Sequence, residues 1–223
     1  MVELRNKYPA VNMSGTLSYG GSQLWAKEKT MRQCGCGVIA CADVLLYLSR
    51  FYTANKPSPL IGFDASLPIS CSEYEKLIKA ISPRYFPLIP RFGINGISLV
   101  LGLKLLLRRE NIELKVGWGV KRENIIPSIE AMLRRDIPVI LSVGPNFPLL
   151  LGNNMVGFYW LSGDGQYRKA LSIRSHYVVV TGMDDTWLQL SSWGIKYYMR
   201  IDDYLRYIDE HSSPIVTNIV NIQ

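Results

Sequence analysis

Cysteine and histidine are scarce in this chain, with 4 Cys and 2 His among 223 residues. A chain of this length can bury a core without staples, so a disulfide framework is not expected and the thiols are read as reduced. The N-terminus, MVELRNKYPAVNMSG, lacks a basic segment leading into an apolar one, so no signal peptide is expected. Long hydrophobic runs are also missing. The longest, Ile97 to Leu107, is too short to span a bilayer and contains Lys104. Neither an internal repeat nor a low-complexity linker appears, which predicts one domain over 1–223. No arginine-rich tract or basic–aromatic motif is present, so no nucleic-acid partner is expected. A soluble, cytoplasmic protein is the resulting expectation.

Hydrophobic residues make up 48% and charged residues 19%, with 13 Tyr and 5 Trp, a composition that folds around a core. Net charge is +7, and the excess is uneven. Residues 101–135 are dominated by bases and 183–210 by acids. The basic side is read first as a solvated helix face, and secondarily as a surface for an acidic partner or a membrane.

Spacing predicts an α+β order, with helices over about 34–135 and strands over about 136–223. The first 33 residues read as an extended arm. Val38, Ala42, Leu45, Leu46 and Ser49 recur at three-four spacing and predict a buried helix over 37–52. A proline-containing connection, NKPSPL, follows. Ser72–Glu75 reads as a capping box opening a helix that ends before Pro83. Helices are further predicted over 97–109 and 123–135, and strands over 112–116 and in IPVILSV. From Met155 the chain reads as mostly β, including HYVVVTGM, TWLQLSS and KYYMRI. A short helix over 202–208 and a strand over 214–222 close it.

Chemistry concentrates in MRQCGCGVIACADVLLYL, residues 31–48, where Cys34 and Cys36 precede the first buried helix. A thiol reacts as thiolate, and a helix N-terminus or a nearby imidazole favours that form. Cys36 stands at the helix start with Gly35 and Gly37 beside it. Cys41 falls inside the helix and reads as core, and Cys71 reads as structural. Of the two histidines, His211 is flanked by serines near the C-terminus, whereas His176 heads the strand HYVVVTG and can be held rigidly. Cys34 as nucleophile, and a metal site of Cys34, Cys36, Cys71 and His176, remain open alternatives, although Cys-x-Cys matches zinc-knuckle spacing poorly.

A Cys-Gly opening an apolar helix, a His heading a valine-rich strand, and SSWG fifteen residues on together resemble a papain-like cysteine peptidase. RDIPVILSV before the His strand is similar to the bacterial branch related to the double-glycine peptidases that trim bacteriocin leaders. The resemblance covers about 33–204 and implies the papain-like fold. It implies Cys36 as nucleophile, His176 as general base and acid, and no cofactor. A peptide or small amide would be the substrate, with transacylation open. The family's imidazole-orienting Asn or Asp falls at Ser191, with Asp184 or Asp185 as a substitute. Its oxyanion Gln, normally six residues before the Cys, is met here by Thr30, and Gln33 stands only three before. Trp193, with Gly194 after it, would shield the imidazole. These departures leave a catalytically inactive binding or scaffold protein as the alternative.

Overall fold

Apolar side chains on almost every face of residues 38–48 leave that helix one place to go, the middle of the molecule. In the computed structural model, which describes residues 1–52, 68–148 and 152–223, it does run through the centre. Helix α1 spans Lys29–Cys34 and gives way at Gly35 to α2, Cys36–Tyr52. Val44, Leu45, Tyr47 and Leu48 of α2 are fully buried. Around it pack α3 (Cys71–Tyr85) and α4 (Gly96–Arg109). Helices α5 (Ile125–Arg134) and α6 (Ile201–His211) complete the set among the described residues.

The strands are β1 (Val2–Glu3), β2 (Val11–Met13), β3 (Thr16–Leu17), β4 (Ile69–Ser70), β5 (Val116–Trp118) and β6 (Val139–Val143). They continue as β7 (Val156–Leu161), β8 (Tyr167–Ile173), β9 (His176–Met183), β10 (Trp187–Ser192), β11 (Ile195–Arg200) and β12 (Val220–Ile222). The main sheet is antiparallel throughout, in the order β1-β9-β10-β11-β7-β8. Strand β6 lies beside β9 and pairs Val143 with His176. Every residue of β6 is buried, as its unbroken β-branched run predicts. Because β9 has neighbours on both edges and α2 against it, His176 is fixed at one end of the most constrained strand.

The mixed helix-and-sheet organisation agrees with the α+β expectation, with several local corrections. The capping box is Ser70–Glu73, so α3 begins earlier, and it continues past Pro83 by two residues, to Tyr85. The strand expected over 112–116 falls instead at Val116–Trp118, and Lys115 extends its pairing with β12 by exchanging both backbone hydrogen bonds with Gln223 at 2.7 and 2.8 Å. The closing strand is confined to Val220–Ile222, since the Asn218 side chain ties up the backbone before it. The arm is extended except for a single 3-10 turn at Gln23–Trp25, capped by Ser22, and it ends at Lys29, where α1 begins. The NKPSPL connection lies outside the described residues. Among the described residues no helix is long and apolar enough to cross a membrane.

Candidate active site

The thiol wall is made by the start of α2. Gly35 closes α1 through its N–H to the Met31 carbonyl at 2.8 Å, and its own carbonyl accepts from Ile39 at 3.0 Å. Cys36 is therefore the first residue of α2, where amides lack intrahelical partners. Burial pushes the Cys36 thiol up in pKa, while backbone hydrogen bonds from Tyr177, Gly37 and Cys36 itself pull it back. Tyr177 directly follows His176, so this contact brings the sulfur to the head of β9.

The imidazole wall is made by β9 and β10. His176 is buried, and its Nε2 lies 2.7 Å from Ser192 Oγ. Register explains the partner. Ser191 pairs with Val179, so the next step along β10 brings Ser192 to the face that His176 shares with Val178. Trp193 and Gly194 form the two-residue turn into β11, both with positive φ (51° and 77°), and Ser192 pairs with Ile195 across it. A tryptophan in left-handed backbone is uncommon and persists where its surroundings hold it. Here the indole stacks on the His176 ring, centroids 4.2 Å apart and planes 19° apart. Burial pulls the His176 pKa down to about 3.

Both walls line one cavity, together with Gly21, Gln23, Asp43 and Ser191. Its free volume of about 10 Å³ is enough for roughly one water. Gln23 reaches this cavity from the arm. Its Nε2 donates to the Arg32 carbonyl at 2.9 Å, leaving the second amide hydrogen available.

The arm is clamped by a buried carboxylate. Asp43 accepts the Gly21 N–H at 3.0 and 3.1 Å, the Tyr74 hydroxyl at 2.7 Å and the Tyr8 hydroxyl at 3.2 Å. Burial outweighs these bonds and raises its pKa to about 6. The approach requires glycine: a Cβ on Gly20 would fall 2.3 Å from Ser191 Oγ and 2.5 Å from Asp43 Oδ2, and one on Gly21 would strike the Tyr74 hydroxyl.

Cys36 and His176 are thus brought together, and the other two expected residues are replaced. Ser191 turns its hydroxyl to the Tyr19 carbonyl at 2.8 Å, so the imidazole partner is Ser192. Gln33 is exposed on α1, and neither it nor Thr30 lines the cavity; the glutamine that does is Gln23. Helix α1 lies between Gln23 and Cys36, so the two are thirteen positions apart in the chain. Asp184 caps the turn at the opposite end of β9, accepting from Thr186 and Trp187, and Asp185 is in that same turn. His211 ends α6, beside Tyr207. The four cysteines are free, Cys41 is fully buried, and the described residues hold no cluster of three metal-ligating side chains, so the alternative metal set is not assembled. Alternation along β10 was the available signal for Ser192, and the Gly20–Gly21 pair for the close approach that carries Gln23. Asp43 had no signal beyond being a charge in an apolar helix.

Comparison with known proteins returns nothing: no family model matches the sequence, and no curated protein or solved structure matches it.

Proposed function

We propose that the protein is a thiol-dependent acyl-transfer enzyme, a cysteine peptidase or amidase on a papain-like fold. One observation carries the reading: Cys36 and His176 share a cavity in which Ser192 Oγ lies at hydrogen-bond distance from Nε2. With Nε2–H donating to Ser192, Nδ1 is the nitrogen that takes the proton.

The direction of both pKa shifts defines the resting state as a neutral thiol beside a neutral imidazole. Proton transfer then accompanies attack. The Cys36 proton moves to Nδ1 as the sulfur bonds the carbonyl carbon. The oxyanion is met by the Cys36 N–H and the second Gln23 amide hydrogen. His176 returns the proton to the leaving nitrogen, the C–N bond breaks, and a thioester remains. Water, activated by the same imidazole, cleaves the thioester and restores the thiol. Ser192 brings no charge to the transient imidazolium, and the stacked Trp193 face provides cation–π stabilisation of about 0.5–2 kcal/mol.

A stopped-flow burst with p-nitrophenyl acetate, paired with mass spectrometry, tests this. An acetyl adduct on Cys36 that disappears in Cys36→Ala and persists in Cys34→Ala is the expected result. Retention of burst and adduct in Cys36→Ala removes the proposal. The non-catalytic alternative is favoured by a serine where the family has Asn or Asp, together with the displaced glutamine, and it predicts no burst in the native chain.

A further inference from the structure

A cavity with room for one water accepts no substrate side chain, so recognition has to be sought next to it. A larger cavity, about 170 Å³, adjoins it and has Ile39 in common with it. Ser22 lines the larger cavity and the following residue, Gln23, lines the catalytic one. The remaining walls are Trp25, Met31, Tyr74, Ile78 and Pro83, contributed by the arm, α1 and α3.

The chemistry of these walls restricts the occupant. Two polar groups of the lining are engaged within the protein: the Tyr74 hydroxyl donates to Asp43, and Ser22 Oγ accepts the Leu24 N–H. The charged side chains around it, Lys27 and Lys79 against Glu28 and Glu75, balance in sign, and Lys79 pairs with Glu75 at 3.9 Å. A lining without net charge and with this much aromatic and aliphatic surface favours an apolar occupant, which has no polar group to desolvate on entry. In size, a dry apolar cavity of about 150 Å³ accepts benzene. Trp25 and Tyr74 already meet edge to face, with centroids 6.1 Å apart, and offer aromatic surface.

We propose that this cavity is the specificity pocket of the acyl-transfer site, taking one uncharged apolar side chain or acyl group of phenyl or leucyl size. The assignment rests on the acyl-transfer reading above, because it is the scissile carbonyl at Cys36 that ties the occupant to a reaction.

The test uses the full chain and p-nitrophenyl esters of acetate, phenylacetate, 3-phenylpropionate and 4-phenylbutyrate. In each, the Cys36 S–C bond forms as the ester C–O bond breaks, and the thiol proton leaves through His176 with the nitrophenol. One linker length should exceed acetate by roughly 10- to 100-fold in kcat/KM. In Ala26→Trp, which adds bulk at the pocket wall, that ratio should fall toward one. Toluene should inhibit the favoured ester competitively in the native chain and leave the acetate rate unaffected, a readout that needs no variant. A flat series with Cys36 acylated, or toluene acting equally on all esters, overturns the pocket alone. Absence of a Cys36 adduct with every ester overturns the reaction, and the pocket's role with it.

Discussion

Two sides of the cavity that Cys36 and His176 share, the sheet and the arm, are held in opposite ways. On the sheet side, His176 and Ser192 are placed by strand register, and the polar groups there are neutral. On the arm side, Gln23 is placed by a chain segment clamped to the Asp43 carboxylate through Gly21, with Tyr8 and Tyr74 joining the clamp. Burial acts on both in opposite directions and inverts the order of their titrations. It pulls His176 down to about 3 and lifts Asp43 to about 6. The cavity is therefore ordered through two unrelated devices, one of regular pairing and one of long-range hydrogen bonding to a single buried carboxyl group.

The largest effect expected is on the sheet side. His176→Ala removes the proton acceptor and should slow acylation by p-nitrophenyl acetate by about 10²- to 10⁴-fold. The pH profile carries the same message. Since the base stays unprotonated down to about pH 3, the acid limb of the native rate should lie well below the usual histidine range. An acid limb near pH 6.5 would show instead that His176 holds a proton in the resting enzyme, and the neutral-pair description fails.

Stability against pH separates the walls next. For His176 the folded pKa lies below the ordinary 6.5, so the unfolded chain binds the extra proton and stability drops as pH falls from about 6.5 toward 3. Asp43 behaves oppositely. Its folded pKa lies above the ordinary 3.8, so the folded chain holds the extra proton and stability drops as pH rises from about 4 to 6. The Asp43 shift corresponds to about 3 kcal/mol across that window. Between pH 4 and 6 the two slopes oppose each other, at about 1.4 kcal/mol per pH unit each. Urea titrations of Asp43→Asn should show stability that, relative to the native chain, falls more steeply with acid. His176→Gln should show the reverse. Equal slopes in all three proteins would mean that neither group is shielded from water.

The same contrast explains what the sequence disclosed. Elements set by local pattern were legible: α2 from its three-four spacing, β6 from its short β-branched run, and β9 to β11 from runs divided by Gly and Asp turns. Cys36 and His176 were legible as well, because a glycine-flanked helix start and a strand head are local features. Gln23 was not, since its distance from Cys36 depends on α1, a short helix inserted into a segment that otherwise reads as extended. Nor was the clamp, because the bonds from Asp43 to Tyr8, Gly21 and Tyr74 join segments that nothing in the local pattern relates. The shift from Ser191 to Ser192 has another origin. The family's motif puts the orienting residue two before the tryptophan, while here the tight Trp193–Gly194 turn brings the adjacent residue under the imidazole.

That one-residue difference gives the smallest and most discriminating effect. Ser191 and Ser192 are both buried and both hydrogen-bonded, so composition and exposure do not distinguish them. Direction does: one hydroxyl meets the Tyr19 carbonyl, the other His176 Nε2. Ser192→Ala removes a neutral hydrogen bond worth about 1 kcal/mol, and the rate of acylation should fall by roughly five- to tenfold. Ser191→Ala leaves the Tyr19 carbonyl without its partner and should lower Tm while sparing the chemical step. Ser192→Asp sharpens the comparison. A carboxylate at that position favours imidazolium, so the acid limb of the rate should move up in pH, a change that a merely structural serine would not produce. Should Ser191→Ala give the larger rate loss, with the acid limb moving in Ser191→Asp and not in Ser192→Asp, strand register has been misjudged and the imidazole is oriented from the other face of β10.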